Sequence, residues 1–208
     1  AGGNYINADF NSRDFQLLQD GSVNDFEASG FNNQLNFNLL DSYLGLYYKR
    51  KMGKLTLGQS LFLHNYNWNV NQQPEFSKNK WVLLPEFLAE YEINNRREIK
   101  FNYSLESNFT AAENYANRFL VESYNRLFRG NGRLENQLSH SLQLSLNQFS
   151  KYRGLGYYFI ASYKQQIEGI QRAINTEENS LVLSPRFIDN GSRNWRLFGR
   201  LYQKVSKF

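Results

Sequence analysis

The chain contains no cysteine, only three prolines and a single methionine among its 208 residues. The absence of cysteine excludes disulfide bonds and thiolate metal sites. The scarcity of proline suits long strands, because each proline removes a hydrogen bond from a strand ladder. No apolar run in the sequence approaches the roughly eighteen residues that a membrane-spanning helix needs, which argues against a helical inner-membrane protein.

The sequence also has few candidates for chemistry. His64 and His140 are its only histidines, and they lie in separate predicted strands without carboxylates at ligand spacing. The acidic segments Glu177-Glu178 and Asp189–Ser192 do not match a calcium-binding loop, and turn chemistry explains them. No Ser-His-Asp arrangement has local support. We therefore predict no metal site, no catalytic residue, no cofactor and no enzymatic activity.

The composition contains an apparent conflict between aromatic content and hydropathy. Aromatic residues make up 16% of the chain, yet only 41% of it is hydrophobic and the mean hydropathy is −0.64. A soluble protein this rich in aromatic residues would usually carry more aliphatic ones. A transmembrane β-barrel resolves the conflict, because its outer face is apolar, its lumen is polar and aromatic residues ring both membrane interfaces.

The clearest local pattern is a long hairpin at Leu138–Glu168. Its first half alternates leucine with serine, glutamine or asparagine for about ten residues, which is the period of a strand. About ten tilted residues is also the length with which a β-strand crosses a bilayer. A short polar turn follows, and a second strand rich in tyrosine and phenylalanine returns. The fold class predicted for the chain is all-β, an antiparallel transmembrane β-barrel.

Alternation predicts eight long strands in four hairpins, at 31–50, 55–68, 81–92, 99–106, 138–149, 155–168, 180–188 and 195–205. Tight turns are predicted at Lys51–Lys54, Asn94–Arg97 and Asp189–Ser192. The apolar residues of the first long strand change parity near Leu40-Asp41, which suggests a β-bulge. Pro85 is expected near a bulge or a strand end. Residues 1–30 are predicted to be a loop or partial strand, and residues 31–208 an outer-membrane β-barrel segment.

The segment between Phe109 and Asn136 differs from the rest, because it is too long for a hairpin turn and long loops often carry function. Thr110–Glu113 fits a capping box, so a short helical turn is expected there. Four arginines cluster in this segment, namely Arg118, Arg126, Arg129 and Arg133. They suit contact with an anion or a glycan, since guanidinium groups donate in pairs. The alternative, which we favour, is that they pair with lumen carboxylates or with the backbone of a plug.

The formal net charge is +5 and the pI is about 9.3. Basic and aromatic residues together are typical of nucleic-acid binding. Here, however, lysine and arginine gather at turns, in Lys49–Lys51, Arg96-Arg97 and Lys151–Arg153, and not on one face of an element. We therefore predict that this chain lies in a bilayer of outer-membrane lipid and does not bind nucleic acid.

The last residues bear on the size of the barrel. Counting back by twos from Phe208 reaches Lys204 and Arg200, which should not share a lipid-facing side with a terminal aromatic residue. Val205–Phe208 is better interpreted as a turn into a further strand. The sequence thus favours a segment of a larger barrel over a complete small one.

The run Tyr124–Asn136, with His140 and the alternating strand behind it, resembles the barrel portion of TonB-dependent-receptor-like outer-membrane proteins of Bacteroidota. In that family a Gly-Asn-x-x-Leu segment precedes an alternating strand, as Gly130–Leu134 does here. Ile167–Ile170 is similar to the usual end of the following strand. The resemblance covers about 31–208, with its motifs concentrated in 108–170, and no plug domain or TonB-contacting segment is found.

The resemblance implies a barrel of about 22 strands, normally plugged by an N-terminal domain, in the bacterial outer membrane. Its expected function is import of a bulky nutrient such as a glycan, peptide or siderophore. Expected partners are a plug domain in the parent chain, and a surface lipoprotein or other complex subunits. The alternative is a structural or interaction barrel subunit of an outer-membrane secretion or adhesion complex, which would have a stable protein partner and no substrate-dependent uptake.

Overall fold

The computed structural model describes residues 1–150, 154–177, 180–189 and 191–204. Its regular structure is almost entirely β, with two 3₁₀ turns at Glu27–Ser29 and Ala112–Tyr115. The strands are β1 (Gly2–Asn11), β2 (Phe15–Leu17), β3 (Val23–Asp25), β4 (Gln34–Met52), β5 (Leu55–Asn71), β6 (Phe76–Asn94), β7 (Arg97–Asn108), β8 (Phe119–Ser123), β9 (Arg126–Arg129), β10 (Gln137–Ser150), β11 (Leu155–Glu177), β12 (Ser180–Asp189) and β13 (Arg193–Gln203). No helix in the described ranges is long and apolar enough to cross a membrane.

Eleven strands of the described residues form one sheet in the order β1-β4-β5-β6-β7-β10-β11-β12-β9-β8, with β13 also paired to β11. Neighbouring strands in this order run antiparallel, apart from β9 and β12, which are parallel. The strands β2 and β3 form a separate short hairpin. The predicted all-β, mainly antiparallel fold class is thus confirmed.

The sheet is concave. Lys80 on β6 and Glu168 on β11 are separated by two intervening strands, yet their Nζ and Oε2 atoms lie 2.9 Å apart. In a flat sheet those strands would be about 14 Å apart, because neighbouring strands are spaced by about 4.8 Å. Residues Ile170 and Phe187 of β11 and β12 also pack against the core formed by β4 and β5. We call the concave side of the sheet the inner face and the other side the outer face.

The ladder registers assign every strand residue to one of these faces. The outer face carries a continuous apolar band across β4, β5, β6, β7, β10, β11 and β13, including Leu44, Leu46, Leu61, Leu63, Leu83, Phe87, Phe101, Leu144, Phe159, Leu197 and Leu201. The inner face at the same level is polar and carries Asp41, His64, Ser60, Glu86, Glu90, Lys100, Asn102, Ser104, Ser141, Gln143 and Lys164.

The predicted β-bulge near Leu40-Asp41 is wrong. β4 pairs with β5 in one uninterrupted register from Asn36 to Met52. The apolar residues of β4 switch from odd to even positions because different faces of the sheet are apolar at the two ends of the strand. Leu35, Phe37 and Leu39 point to the inner face and are buried, whereas Leu44 and Leu46 point outward and are exposed.

The predicted hairpin between the last two strands is also wrong. In the described residues, β12 and β13 do not pair with each other; both pair with β11, over 168–177 and 155–165 respectively. The polar stretch after Gly169, expected to be a connection, extends β11 instead. The prediction was wrong because the stretch is polar. It lies beyond the apolar band, where a strand is held by hydrogen bonds to its neighbours and does not need a row of apolar side chains. β12 ends at Asp189 and β13 begins at Arg193, and both strands run antiparallel to β11, hence in the same direction as each other.

Residues 1–30 contain more structure than the loop or partial strand predicted for them. The ten residues of β1 pair with Gln34–Tyr43 of β4 and join the main sheet. A weak alternation marked this strand, because Ile6, Ala8 and Phe10 face inward opposite Leu39, Phe37 and Leu35. Only three apolar residues carry that pattern, which is too few to distinguish it from chance.

The turns agree with the sequence where the structure describes them. Gly53-Lys54 and Asn95-Arg96 connect their strands, and Gly53 has a φ of 61°. The expectation of a bulge or a strand end at Pro85 is wrong, because Pro85 lies in the middle of β6 and pairs with Leu61 in an uninterrupted register. The ladder between β6 and β7 reaches only the next residue, Glu86, so Pro85 has no ladder partner on that side. Expectations for Lys151–Arg153, Glu178, Asn190 and Val205–Phe208 lie outside the described residues.

Candidate functional site

Residues 109–136, which we call the insert, pack against the inner face of β4 and β5. The Tyr115 ring stacks on Phe37 at 4.8 Å, and Phe109 meets Trp68 edge to face at 5.2 Å. Tyr115, Leu134 and Trp68 are fully buried. Burial raises the pKa of the Tyr115 hydroxyl, so this residue stays neutral. The insert and the inner face of β4 and β5 therefore form an apolar core together. This core lies at the end of the sheet opposite the tight turns.

The predicted helical turn of the insert is present at Ala112–Tyr115. The expected capping box is not, because the turn begins after Ala111 without a side-chain cap. The hydroxyl of Thr110 instead accepts a bond from the Asn114 side chain at 2.8 Å. The sequence thus identified the turn but not the bond that organises it.

Buried amides join the insert to the sheet. The Asn33 side chain accepts from the backbone N–H of Arg118 at 3.1 Å and from Gln72 at 3.1 Å, and it donates to the carbonyl of Phe119. Gln72 in turn accepts from the N–H of Asn117 at 2.8 Å. These bonds fix the backbone at 117–119, because breaking one would leave a buried polar group unpaired. Neither Asn33 nor Gln72 was predicted, because no periodic pattern in the sequence marks them.

Gly130 closes the insert. A Cβ at this position would collide with the carbonyl oxygens of Ala116 and Asn114, whereas one at Gly132 would make ordinary contact at 3.6 Å from Tyr115. The N–H of Asn131 donates to Asn114 at 2.7 Å. The first glycine of this Gly-Asn-Gly run thus allows two backbone segments to approach closely.

Two ion pairs hold the end of the insert to the inner wall. Glu135 bonds to Lys78 and lies 3.4 Å from Lys80, and Lys80 also bonds to Glu168 at 2.9 Å. Burial alone would raise the pKa of Glu135, but the two lysines hold it below its ordinary value. These four charged side chains thus link β6, the insert and β11. None of these residues was singled out in the sequence, where lysines at alternate positions only indicate a polar face.

The four predicted arginines separate into two groups. Arg118, Arg129 and Arg133 line one cavity of about 520 Å³, together with Pro74, Phe76 and Phe119. Arg126 is not among the residues that line it; its Nε lies 3.5 Å from Glu122. The cavity, which we call the rim cavity, opens between the insert and the β5–β6 connection.

Two of the three arginines at the rim cavity are tied to backbone. Arg118 donates through Nη1 to the carbonyl of Phe31 at 3.0 Å, and Arg129 donates through Nε to the carbonyl of Asn117 at 2.9 Å. Arg129 also lies over the Phe119 ring at 5.3 Å. Within the described residues, the Arg133 side chain has no hydrogen bond or ion pair. Both sequence hypotheses for these arginines stay predictions.

The two histidines lie on opposite faces. His64 is on the inner face, where its Nδ1 is 2.8 Å from Asp41 and its ring lies between Tyr43 and Tyr66. His140 is on the outer face, with its Nδ1 3.0 Å from the Tyr103 hydroxyl. In the described part of the chain, no group of three or more potential metal ligands comes together.

No protein-family model matches this chain, and no curated protein matches its sequence. Among solved structures, it is similar to a mutant of the ferric enterobactin receptor PfeA from Pseudomonas aeruginosa in complex with enterobactin, at 10% identity and a TM-score of 0.49. It is also similar to the siderophore receptor PirA from Acinetobacter baumannii, at 11% identity and a TM-score of 0.44. Each alignment covers 96% of this chain but only 38% and 39% of the respective receptor chains. At these values neither neighbour assigns a family or a ligand.

Proposed function

We propose that this chain forms part of the wall of an outer-membrane β-barrel transporter of the TonB-dependent-receptor kind, which imports a bulky nutrient. The observation that carries the proposal is the apolar band on the outer face. Its side chains are large and exposed: Leu46 is 80% exposed, Trp195 72% and Leu201 69%. A contiguous apolar surface of this extent is unfavourable in water and is expected against lipid.

The height of the band supports a bilayer as its surroundings. On β6 it runs from Trp81 to Tyr91, with both aromatic residues pointing outward. Ten steps of about 3.3 Å give roughly 33 Å of strand, and a tilt of about 40° reduces this to roughly 25 Å, the height of the apolar band of such barrels. Trp195 and Tyr163 extend the aromatic boundary at the same end as Trp81, with ring centroids 4.4 Å apart.

The inner face supports transport over a purely structural role. It is mainly polar in its middle, although Phe62, Leu84 and Leu88 also point inward, and it carries ion pairs such as Lys100–Glu90 at 2.6 Å and Lys164–Glu106 at 2.8 Å. A plug domain or a hydrated cargo would find hydrogen-bonding partners on such a wall. The insert covers this face only at the end away from the tight turns, which is where long extracellular loops of outer-membrane barrels lie. We propose that this end faces the outside.

The test is nutrient uptake by cells in which the gene is disrupted, compared across iron chelates, peptides and glycans. The proposal expects loss of growth on one of these classes, and the same loss when the energy-coupling protein is disrupted. Outer-membrane localisation with unchanged uptake of every class, and a stable complex with another protein, would overturn it in favour of a structural subunit.

A further inference from the structure

We infer that the rim cavity binds the anionic groups of a ligand with a flat apolar body. This inference rests on the proposed transport function and names the class of ligand that the outer end would receive. Three features carry the assignment: an excess of positive charge, guanidinium groups held ready, and an apolar lining.

The charge excess is local. Arg118, Arg129 and Arg133 line the rim cavity with Glu75 as the only acidic residue of its lining. Among the described residues, no carboxylate lies within 4 Å of any of the three guanidinium groups. The positive charge is therefore not cancelled by ion pairs, and an anion that enters gains attraction from several cations at once.

Two of the guanidinium groups are already ordered. Arg118 donates through Nη1 to the carbonyls of Phe31 and, at 3.5 Å, Asn32, and Arg129 donates through Nε to the carbonyl of Asn117, so at most two of the five donors of each side chain are used. The remaining donors are free for a ligand, and less side-chain entropy is lost on binding because both groups are held in place. The side chain of Arg133 has no hydrogen-bond or ion-pair partner in the described residues. It supplies a third guanidinium group that can bind an anion.

Part of the remaining lining is apolar and flat, and it lies beside the polar side chains of Gln73, Asn117 and Asn131. Pro74, Phe76 and Phe119 contribute ring surfaces, and the Arg129 guanidinium already stacks over Phe119. Such surfaces suit an aromatic or other planar body better than a flexible polyol. Guanidinium forks match carboxylate, sulfate and phosphate oxygens in pairs. The expected ligand class is thus a planar molecule that carries such groups.

The adjoining cavity, of about 550 Å³, provides an internal contrast. Asp9, Glu27 and Glu75 line it and Arg118 is its only basic residue. Its acidic excess repels the same ligand. The assignment therefore applies to the rim cavity alone and does not follow from general positive charge on the protein.

The experiment is calorimetric titration of the full chain, purified in a lipid nanodisc, with benzene-1,3,5-tricarboxylate. This probe is flat and carries three carboxylates, and its uncharged analogue benzene-1,3,5-trimethanol has the same shape. We expect the tricarboxylate to bind and the triol not to. Replacing Arg133→Gln should weaken binding about tenfold, the usual effect of losing one charge-assisted contact. The matched control Arg126→Gln, in the same insert but away from the cavity, should leave it unchanged.

Equal binding of the triol, or equal loss in both variants, would overturn the inference, as would absence of tricarboxylate binding by the folded protein. Arg133 makes no contact on which folding depends, and circular dichroism of each variant verifies the strand content. The assay needs no transport. A negative titration with normal uptake would therefore overturn this inference alone, whereas normal titration without uptake would overturn the proposed function alone.

Discussion

The strands β4 and β5 have two halves that differ in which face is apolar. Near the tight turn, leucines such as Leu46 and Leu61 point outward and the inner face is polar. Near the insert, Phe37, Trp68 and Val70 point inward and the outer face is lined with asparagine. One continuous register serves both halves. The apolar residues of the inner face lie where the insert covers it, and the proposed membrane location accounts for those of the outer face in the other half, because lipid would cover them there.

The asparagines of the insert half are organised among themselves. Asn38 accepts from Tyr5 and from Asn7, both at 2.7 Å, and Asn36 donates to Asp9 at 2.7 Å. Asn65 and Asn79 exchange two bonds at 3.0 Å. Short amides that pair across strands and also face water are suited to a surface beyond the apolar band, where leucine would be unfavourably exposed.

The largest effect is expected from the inner core of the insert half. Trp68→Ala removes a fully buried indole and should lower the free energy of unfolding by about 3–5 kcal/mol. Trp81→Ala, on the outer face and 64% exposed, is the control and should cost less than half as much. Urea unfolding followed by circular dichroism measures both. Equal costs would mean that the insert does not form a core with β5.

The next effect compares the two halves on one face of one strand. Leu61→Arg introduces a charge in the middle of the apolar band and should cost about 2–4 kcal/mol if that face meets lipid. Asn67→Arg lies on the same face of β5 beyond the band and should cost about 0–1 kcal/mol. Unfolding in lipid bilayers distinguishes the two. A similar loss of unfolding free energy at both positions would contradict the proposed end of the apolar band between Leu61 and Asn67.

A smaller effect is expected from the close approach at Gly130. Gly130→Ala forces a Cβ against two backbone carbonyls and should cost about 1–3 kcal/mol by overpacking. Gly132→Ala, two residues away and with room for a Cβ, should be nearly neutral. Limited proteolysis measures the effect as faster cleavage within 109–136. An insert that is equally resistant in both variants would contradict the packing described.

The smallest effect is a pH dependence of insert docking. Because the pKa of Glu135 is lowered in the folded protein, its stabilising contribution is present above its ordinary pKa of 4.5 and is lost as the pH falls through the folded value. The groups are partly exposed, so the contribution should be no more than about 1 kcal/mol. Glu135→Gln should abolish the acid-induced rise in proteolysis of the insert. A rise that persists in the variant would locate the titrating group elsewhere.

Sequence and structure agree best where one face is apolar and the other polar. The strands of the band, such as 99–106, alternate because their two faces have opposite polarity, as the proposed lipid and lumen sides would require, and alternation is visible without a structure. The prediction failed at β1 and at the extension of β11, where only a few apolar side chains, such as Phe10 and Ile170, reach the core and ladder bonds hold most of the strand. It also missed Asn33 and Glu135, because amide clamps and ion pairs join residues that are far apart in the chain.

The arginines show the same division. Their proximity in sequence suggested one cluster, but only three line the rim cavity, and Arg126 lies in a strand whose start is paired with β12. In a strand, the number of residues between two side chains indicates whether they point to the same face. In an irregular segment such as the insert, it does not. The composition of the cavity also depends on Pro74, from the β5–β6 connection, and on Phe76, the first residue of β6, which are both distant from the arginines in the sequence.

The most direct test of the central claim uses the absence of cysteine from the chain. Single cysteines placed one at a time at 77, 79 and 82–90 of β6, except Pro85, and spin-labelled in a bilayer report contact with oxygen dissolved in lipid or with a water-soluble relaxant. The account predicts high oxygen contact at positions 83, 87 and 89 and low contact at 82, 84, 86 and 88, with water contact replacing lipid at 77 and 79. Equal water contact at both parities, or no change of environment beyond Trp81, would contradict it.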